Sequence, residues 1–199
     1  MMNKPIGVKL IVLASTSPYR KMLLERLRLP FRCHAPDIDE SPLPDESPVA
    51  LVRRLAREKA ASVSRVYPDA LIIGSDQVAV SGRNILNKPG DHERARSQLL
   101  RLSGHIVMFH TGLCVLNSST GSVQVDSITI KVKFRKLAPA EIERYLATER
   151  PYDCAGSFKS EGLGIALLAS MQGDDPTALI GLPLIRLCAM LRNEGLELP

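Results

Sequence analysis

The sequence predicts an α/β fold on a mixed sheet, and three observations predict it. Leu10–Ala14 is a short, continuous apolar run that gives way to hydroxyls and a helix-start signal, the pattern of a buried strand feeding a helix. Leu71-Ile-Ile-Gly-Ser-Asp-Gln77 has the same form, an apolar run stopping at a glycine and followed by a serine and an acid. From Ile106 to Phe134 the pattern changes to long apolar or alternating runs flanking Asn117-Ser-Ser-Thr-Gly121. Ile128, Ile130, Val132 and Phe134 alternate strictly there, as in an antiparallel hairpin with one buried face.

The elements follow in order. Leu10–Ala14 is the first strand. Ser17 is the cap of the next helix and Pro18 its first residue, since proline lacks only an N–H that has no partner there. Tyr19–Leu27 continues that helix with Met22, Leu23, Leu24 and Leu27 as its apolar side. Phe31–Ala35 is a second strand. Pro36–Pro48 is a loop with four prolines and the acids Asp37, Asp39, Glu40, Asp45 and Glu46. A long helix starts at Asp45 or Ser47 and runs to about Val66, with Leu51, Leu55 and Ala56 on one side.

Ala70–Ile73 is the strand that leads to Asp76. Val78–Val80 and Ile85–Leu86 form a hairpin across Ser81-Gly-Arg-Asn84. Asp91 caps a helix through Leu102 that closes at Gly104. Pro139–Thr148 is a short helix, Gly164–Leu168 a strand and Pro183–Arg192 a closing helix with Gly195 beyond it. No repeat or low-complexity linker interrupts the chain, so residues 1–199 read as one domain, with a cleft between two lobes.

Composition sets limits on function. The chain has 199 residues, 45% of them hydrophobic, enough for a sizeable aliphatic core. A net charge of +5 suits an anionic ligand. It does not point to nucleic acid, because the cations are scattered among acids and aromatics are only 4%. Cys33, Cys114, Cys154 and Cys188 form no C-x-x-C pair and no zinc spacing, and read as buried reduced thiols in a cytoplasmic protein. The apolar run after the N-terminal lysines is too short for a signal segment, and no stretch approaches the ~18 residues of a membrane helix.

The chemical candidates sit where these elements join. Ligands of open α/β sheets bind outside the carboxyl ends of strands, which puts Asp76 at a cleft rim. Ser15-Thr-Ser-Pro-Tyr-Arg20 offers hydroxyls, free N–H groups at a helix start and a guanidinium, an anion-binding combination. It is not a Walker loop, lacking the glycines and the G-K-[ST] ending. Asp39-Glu40 reads as a solvated pair or as a magnesium ligand, since Mg²⁺ takes one or two carboxylates plus substrate phosphates. Lys59, among Arg53, Arg54, Arg57 and Glu58, reads first as part of a solvated helix face. Lys88 is held beside a proline in Asn87-Lys-Pro-Gly90. Ala155–Gly162 reads as a polar turn or as a segment suited to close ligand approach. Leu179–Leu184 reads as a structural turn, and the histidines have no catalytic partner in sequence.

Taken together these segments resemble the Maf family of nucleoside triphosphate pyrophosphatases. The matching pieces are Leu13–Arg20, Asp39-Glu40, Glu58-Lys-Ala60, Gly74-Ser-Asp-Gln77, Asn87-Lys-Pro89, Ser103-Gly-His105, Cys154–Gly162 and Gly181-Leu-Pro183, in the family's order and across nearly the whole chain. Gln77 and Ser157-Phe-Lys-Ser-Glu-Gly162 are similar to its 7-methyl-GTP pyrophosphatase subfamily. Asn87 stands where glycine is common, and Tyr19 where tryptophan can stand.

The resemblance implies an ITPase-like elongated mixed sheet flanked by helices, with two lobes and a deep cleft. It also implies cleavage of a nucleotide to its monophosphate and pyrophosphate with a divalent cation, Mg or Mn, and a possible homodimer. In that reading Asp76 is the proton acceptor and shares the metal with Glu40. Ser15, Ser17, Arg20, Lys59 and Lys88 bind the phosphates. Tyr19, Gln77 and Glu161 read the base, Gln77 through an amide donor and acceptor, Tyr19 through a ring face on a cationic base. The alternatives are a dTTP/UTP pyrophosphatase and a nucleotide-binding regulator of cell division with little catalysis.

Overall fold

The computed structural model describes residues 9–199. The reading that no signal segment precedes the first strand concerns residues 1–8 and lies outside them. The first βα unit is β1 (Leu10–Ala14) and α1 (Pro18–Glu25), capped by Ser17, whose Oγ accepts from the Arg20 N–H at 3.4 Å. β2 (Phe31–His34) follows, then α2 (Pro48–Ser64), capped by Ser47. The central strand β3 (Ala70–Ser81) turns back through β4 (Asn84–Leu86). After α3 (His92–Leu102) come the long hairpin strands β5 (Ile106–Asn117) and β6 (Val123–Phe134). α4 (Pro139–Glu149), β7 (Leu168–Gln172) and α5 (Leu184–Asn193) complete the chain.

The strands form one mixed sheet in the order β2-β1-β3-β5-β6-β7, with β4 beside β3. β1 pairs in parallel with β2 and β3, while β3–β5, β5–β6 and β6–β7 are antiparallel. This is the expected mixed α/β sheet with flanking helices. α1 and α5 cover one face through Leu23, Leu24, Leu187 and Met190 packed on Ile11, Leu13, Leu71 and Ile73. α2 covers the other through Ala56, Ala60 and Val63 on Val12, Ala14, Ile72 and Cys114. A third cluster, built on α3, α4, Phe109, Phe134 and Phe158, fills the far end of the hairpin.

Three readings need correction. Asp76 is not at a strand end. β3 runs unbroken through Gly74-Ser-Asp76, and Asp76 is paired opposite Gly112 of β5. The polar residues continue the strand because Ser75 finds buried partners, its one hydroxyl proton shared between Gly112 O at 2.7 Å and Gly181 O at 2.9 Å. The strand expected at Gly164–Leu168 is instead a 3₁₀ turn over Leu163–Leu167, with β7 starting where it ends. The turn closes on Lys159, whose carbonyl accepts from both the Gly162 and Gly164 N–H groups. Of the cysteines, all free, only Cys114 is fully buried, and Cys33 is exposed on the edge strand β2. Among the described residues no helix is long and apolar enough to cross a membrane.

Candidate active site

Two glycines explain why a helix lies close enough to β3 to reach it. A Cβ at Gly74 would stand 2.0 Å from Ala56 O, and one at Gly112 2.0 Å from Val52 O. α2 therefore rests on bare backbone of β3 and β5. The period of two along β3 sends Gly74 and Asp76 to the α2 face and Ser75 and Gln77 to the other. On α2, Lys59 follows Leu51 and Leu55 at four-residue steps, on the inward side. Lys59 is 4% and Asp76 7% exposed, and Lys59 Nζ donates to Asp76 Oδ1 at 2.7 Å. The solvated-face reading of Lys59 is thus overturned: Arg53 and Arg57 are exposed, but Lys59 points inward.

Lys59 Nζ also contacts Glu40 Oε1 at 2.9 Å, so one ammonium gathers two carboxylates. The proline-rich loop that carries Glu40 is anchored from α2. Arg54 grips Glu46 at 2.7 and 2.8 Å and donates to Ser41 O at 3.0 Å. Asp39 turns away to accept from the Ser41 N–H at 2.9 Å, so of the two adjacent acids only Glu40 meets Lys59. Asp76 Oδ2 makes no hydrogen bond among the described residues. Among those residues no fully buried side-chain oxygen is left without a partner, so Oδ2 opens to the cleft.

Across from this cluster, Arg20 Nε donates to Gly181 O at 2.9 Å and an η-nitrogen to Ser15 Oγ at 3.4 Å. Burial pulls the guanidinium pKa down, and the neighbouring Asp76 and Glu40 pull it back up. Ser15 Oγ accepts from the Ser17 N–H at 3.1 Å. Both serine oxygens serve as acceptors for the turn, which leaves their hydroxyl protons to donate to an anion.

A cleft of about 530 Å³ is lined by Ser15, Ser17, Tyr19, Arg20, Glu40, Lys59, Asp76, Gln77, Lys88 and Glu161, so every residue to which the family resemblance gives a role lines one cavity. Arg20, Lys59 and the two Lys59-bound carboxylates occupy one part of its wall. Tyr19, Asp153, Cys154 and Glu161 occupy another, with the Tyr19 hydroxyl 3.4 Å from Asp153. Desolvation and these acids push the Tyr19 pKa up.

Two base-reading assignments change. The Gln77 amide nitrogen is spent on Ala178 O, Thr111 Oγ1 and Leu179 O at 2.7, 2.9 and 3.1 Å. Two carbonyl acceptors leave no doubt which end is nitrogen, so Gln77 has only its oxygen to offer. The Tyr19 ring already has a cation near it, with Lys159 Nζ 6.0 Å from its centroid. Sequence reasoning missed Ser75, Thr111 and Gly181. Thr111 and Ser75 tie the Ala178–Gly181 turn to the sheet, and Gly181 O orients Arg20. The turn at Leu179–Leu184 is structural, as read, and also walls the cleft.

This is an α/β protein with a cleft, lined by Arg20, Lys59 and Lys88, set across its central strand. It belongs to the Maf-like protein family, whose model matches residues 10–194. A 7-methyl-GTP pyrophosphatase of Pseudomonas syringae pv. tomato is 60% identical over 95% of this chain and 98% of its own. One from Aromatoleum aromaticum is 57% identical over 95% of this chain and 97% of its own. Among solved structures, the Staphylococcus aureus Ham1 protein is 14% identical and covers 64% of this chain and 73% of its own, with a TM-score of 0.47.

Proposed function

We propose that this chain is a nucleoside triphosphate pyrophosphatase that hydrolyses 7-methyl-GTP to 7-methyl-GMP and pyrophosphate, residues 1–199 acting as one unit. The observation that carries the reading is Lys59 holding Asp76 and Glu40 together at 2.7 and 2.9 Å in a cleft that also presents Arg20 and Lys88. The substrate assignment is supported by the names of the relatives above.

In this mechanism water attacks the α-phosphorus in line. An O–P bond forms as the Pα–O–Pβ bond breaks, and pyrophosphate departs. Asp76 Oδ2, the free oxygen, takes the water's proton while Lys59 fixes the carboxylate by its other oxygen. Arg20, Lys59 and Lys88 stabilise the charge that moves onto the departing pyrophosphate, and the Ser15 and Ser17 hydroxyls donate to phosphate oxygens. Glu40 and Asp76 form an all-oxygen set suited to Mg or Mn. No three His, Cys, Asp or Glu side chains gather among the described residues. Two carboxylates with substrate phosphates nonetheless make up a usual magnesium set. Such an ion would screen the triphosphate's charge. At the base end, Glu161 accepts from the guanine N–H edge and its charge favours the methylated, cationic ring.

The test is pyrophosphate release from 7-methyl-GTP, GTP, dTTP, UTP, CTP and ITP, with and without Mg²⁺ or Mn²⁺. Metal-dependent cleavage favouring 7-methyl-GTP is the expected result. A preference for dTTP or UTP keeps the reaction and removes the substrate. No turnover by folded protein removes the enzyme reading in favour of a binding regulator.

A further inference from the structure

Outside the residues given roles above, one buried polar pair joins two walls of the cleft. Ser157 is fully buried and Gln98, on α3, is 7% exposed. Ser157 Oγ donates to Gln98 Oε1 at 2.5 Å, and Gln98 Nε2 donates to Asn87 O at 3.1 Å, next to Lys88. The amide orientation follows from Asn87 O, which can only accept. A second tie runs alongside, from the Gly90 N–H to Tyr152 O at 2.9 Å.

Ser157 is also strained. Its φ is +54°, in the left-handed region that a residue with a Cβ avoids, directly after Gly156 at +72°. Such a conformation persists where its surroundings over-determine it, and it gathers at working sites. Here the strain directs the chain. Past it, Phe158 packs between Phe109 and Phe134, with ring centroids at 5.9 and 5.4 Å, and the Lys159 N–H donates to the Tyr145 hydroxyl at 3.0 Å. Glu161 then emerges into the cleft. On its other side the Leu163 N–H is held by Glu149 at 2.7 Å. Glu161 itself is exposed, so its position comes from these anchors.

The geometry points to Gln98 and Ser157 as positioning residues that fix the Lys88 loop and the Glu161 segment relative to each other. The pair sets the span between a phosphate contact and a base contact, and so acts on recognition of the whole nucleotide. This inference rests on the roles given above to Lys88 and Glu161.

Two variants test it. Ser157→Gly removes the hydroxyl while allowing the same φ without strain. Gln98→Leu with Ser157→Gly also removes the buried amide left unpaired, and Asn87 O, which loses its donor, belongs to an exposed residue and can turn to water. Each is assayed on 7-methyl-GTP and GTP with Mg²⁺, alongside its thermal midpoint. Both variants are expected to fold, to raise KM about threefold for either nucleotide and to lower the preference for 7-methyl-GTP about fivefold, with kcat little changed, as small misplacements of binding groups do. A purely structural pair would lower the melting temperature of Ser157→Gly, regain it in the double variant and leave KM and preference within about twofold of wild type, and that result overturns the proposal. If the wild type shows no preference for the methylated base, the substrate reading fails separately and KM for GTP decides the pair. If the double variant does not fold, Ser157→Gly alone decides.

Discussion

Lys59 Nζ stands 2.7 Å from Asp76 Oδ1 at the floor of the cleft, with both side chains almost wholly removed from solvent. The contact spans the α2–sheet interface, so the pair belongs to the fold as well as to the proposed chemistry. The two functions separate by substitution. Asp76→Asn keeps the shape and a hydrogen-bonding oxygen but removes the proton acceptor, and is expected to cut kcat about 10²–10⁴-fold with metal saturating. Lys59→Met leaves the Asp76 charge buried without its partner, and is expected to lower stability by about 3 kcal/mol as well as activity. Turnover within a few-fold of wild type in Asp76→Asn removes it as the base.

Glu40 sits on an exposed loop and reaches Lys59 at 2.9 Å, so its loss should spare the core. Chelation with EDTA is expected to abolish turnover, and Mg²⁺ or Mn²⁺ to restore it. Glu40→Gln is expected to raise the metal concentration for half-maximal rate by about tenfold or more, the usual penalty for weakening a metal's surroundings. Metal titrations of the rate check this, and superimposed curves for wild type and variant exclude Glu40 as a ligand.

Among the described residues Glu161 lines the cleft without a charged partner in contact, whereas Lys159 nearby is held by Glu149 at 3.3 Å. Glu161→Gln retains the hydrogen-bonding oxygen and loses the charge that favours a cationic base. The ratio of kcat/KM for 7-methyl-GTP over GTP is expected to fall about tenfold, equivalent to about 1.4 kcal/mol of discrimination. An unchanged ratio returns Glu161 to the solvent-exposed rim.

The legible parts of this site are those where one local signal carries the answer. Ser17-Pro18 announces a helix start, and the cap bond to Arg20 is there. Lys59 was harder to see, since three arginines and a glutamate surround it in sequence. Its four-residue step from Leu55 was the available signal, and nothing local said that glycines on two strands would bring the helix close. β3 misled in the opposite way. Gly74-Ser-Asp76 looks like a stop because glycine and polar residues weaken strands, yet the partners that rescue them, Gly112 and Gly181, lie far along the chain. The Arg54–Glu46 clamp and the 3₁₀ turn before β7 depend likewise on contacts that only the assembled fold creates.

Arg54 makes one element of the site acid-labile. Its guanidinium pulls the Glu46 carboxyl down from 4.5 to about 2. A folded-state pKa below the unfolded one contributes stability that is complete above about 4.5 and is lost as pH falls toward 2. Glu46 Oε2 also accepts from the Leu43 N–H at 3.1 Å. The protection factor of that amide is therefore expected to fall across the same window, ahead of amides in β1. Glu46→Gln should flatten the dependence, and an amide equally protected at both ends of the window removes Glu46 as the loop's anchor.

Gly112 tests whether close packing of α2 is what delivers Lys59 to Asp76. A methyl group there would meet Val52 O at 2.0 Å and Val52 C at 2.4 Å, both backbone atoms that cannot turn aside. The helix must then move off the sheet. Gly112→Ala is expected to cost about 1–3 kcal/mol by overpacking. That corresponds to several degrees in Tm at about 2–4 °C per kcal/mol for a chain of this size. Turnover should fall more steeply than stability, because Lys59 travels with the helix while Asp76 stays on the strand. Gly82, at φ +61° and with nothing among the described residues within 4 Å of where a Cβ would stand, supplies the contrast. Gly82→Asn accepts the left-handed conformation and should leave both Tm and turnover nearly unchanged. If Gly112→Ala melts and turns over like wild type, the sheet accommodates the methyl group and the spacing of α2 does not set the Lys59–Asp76 contact.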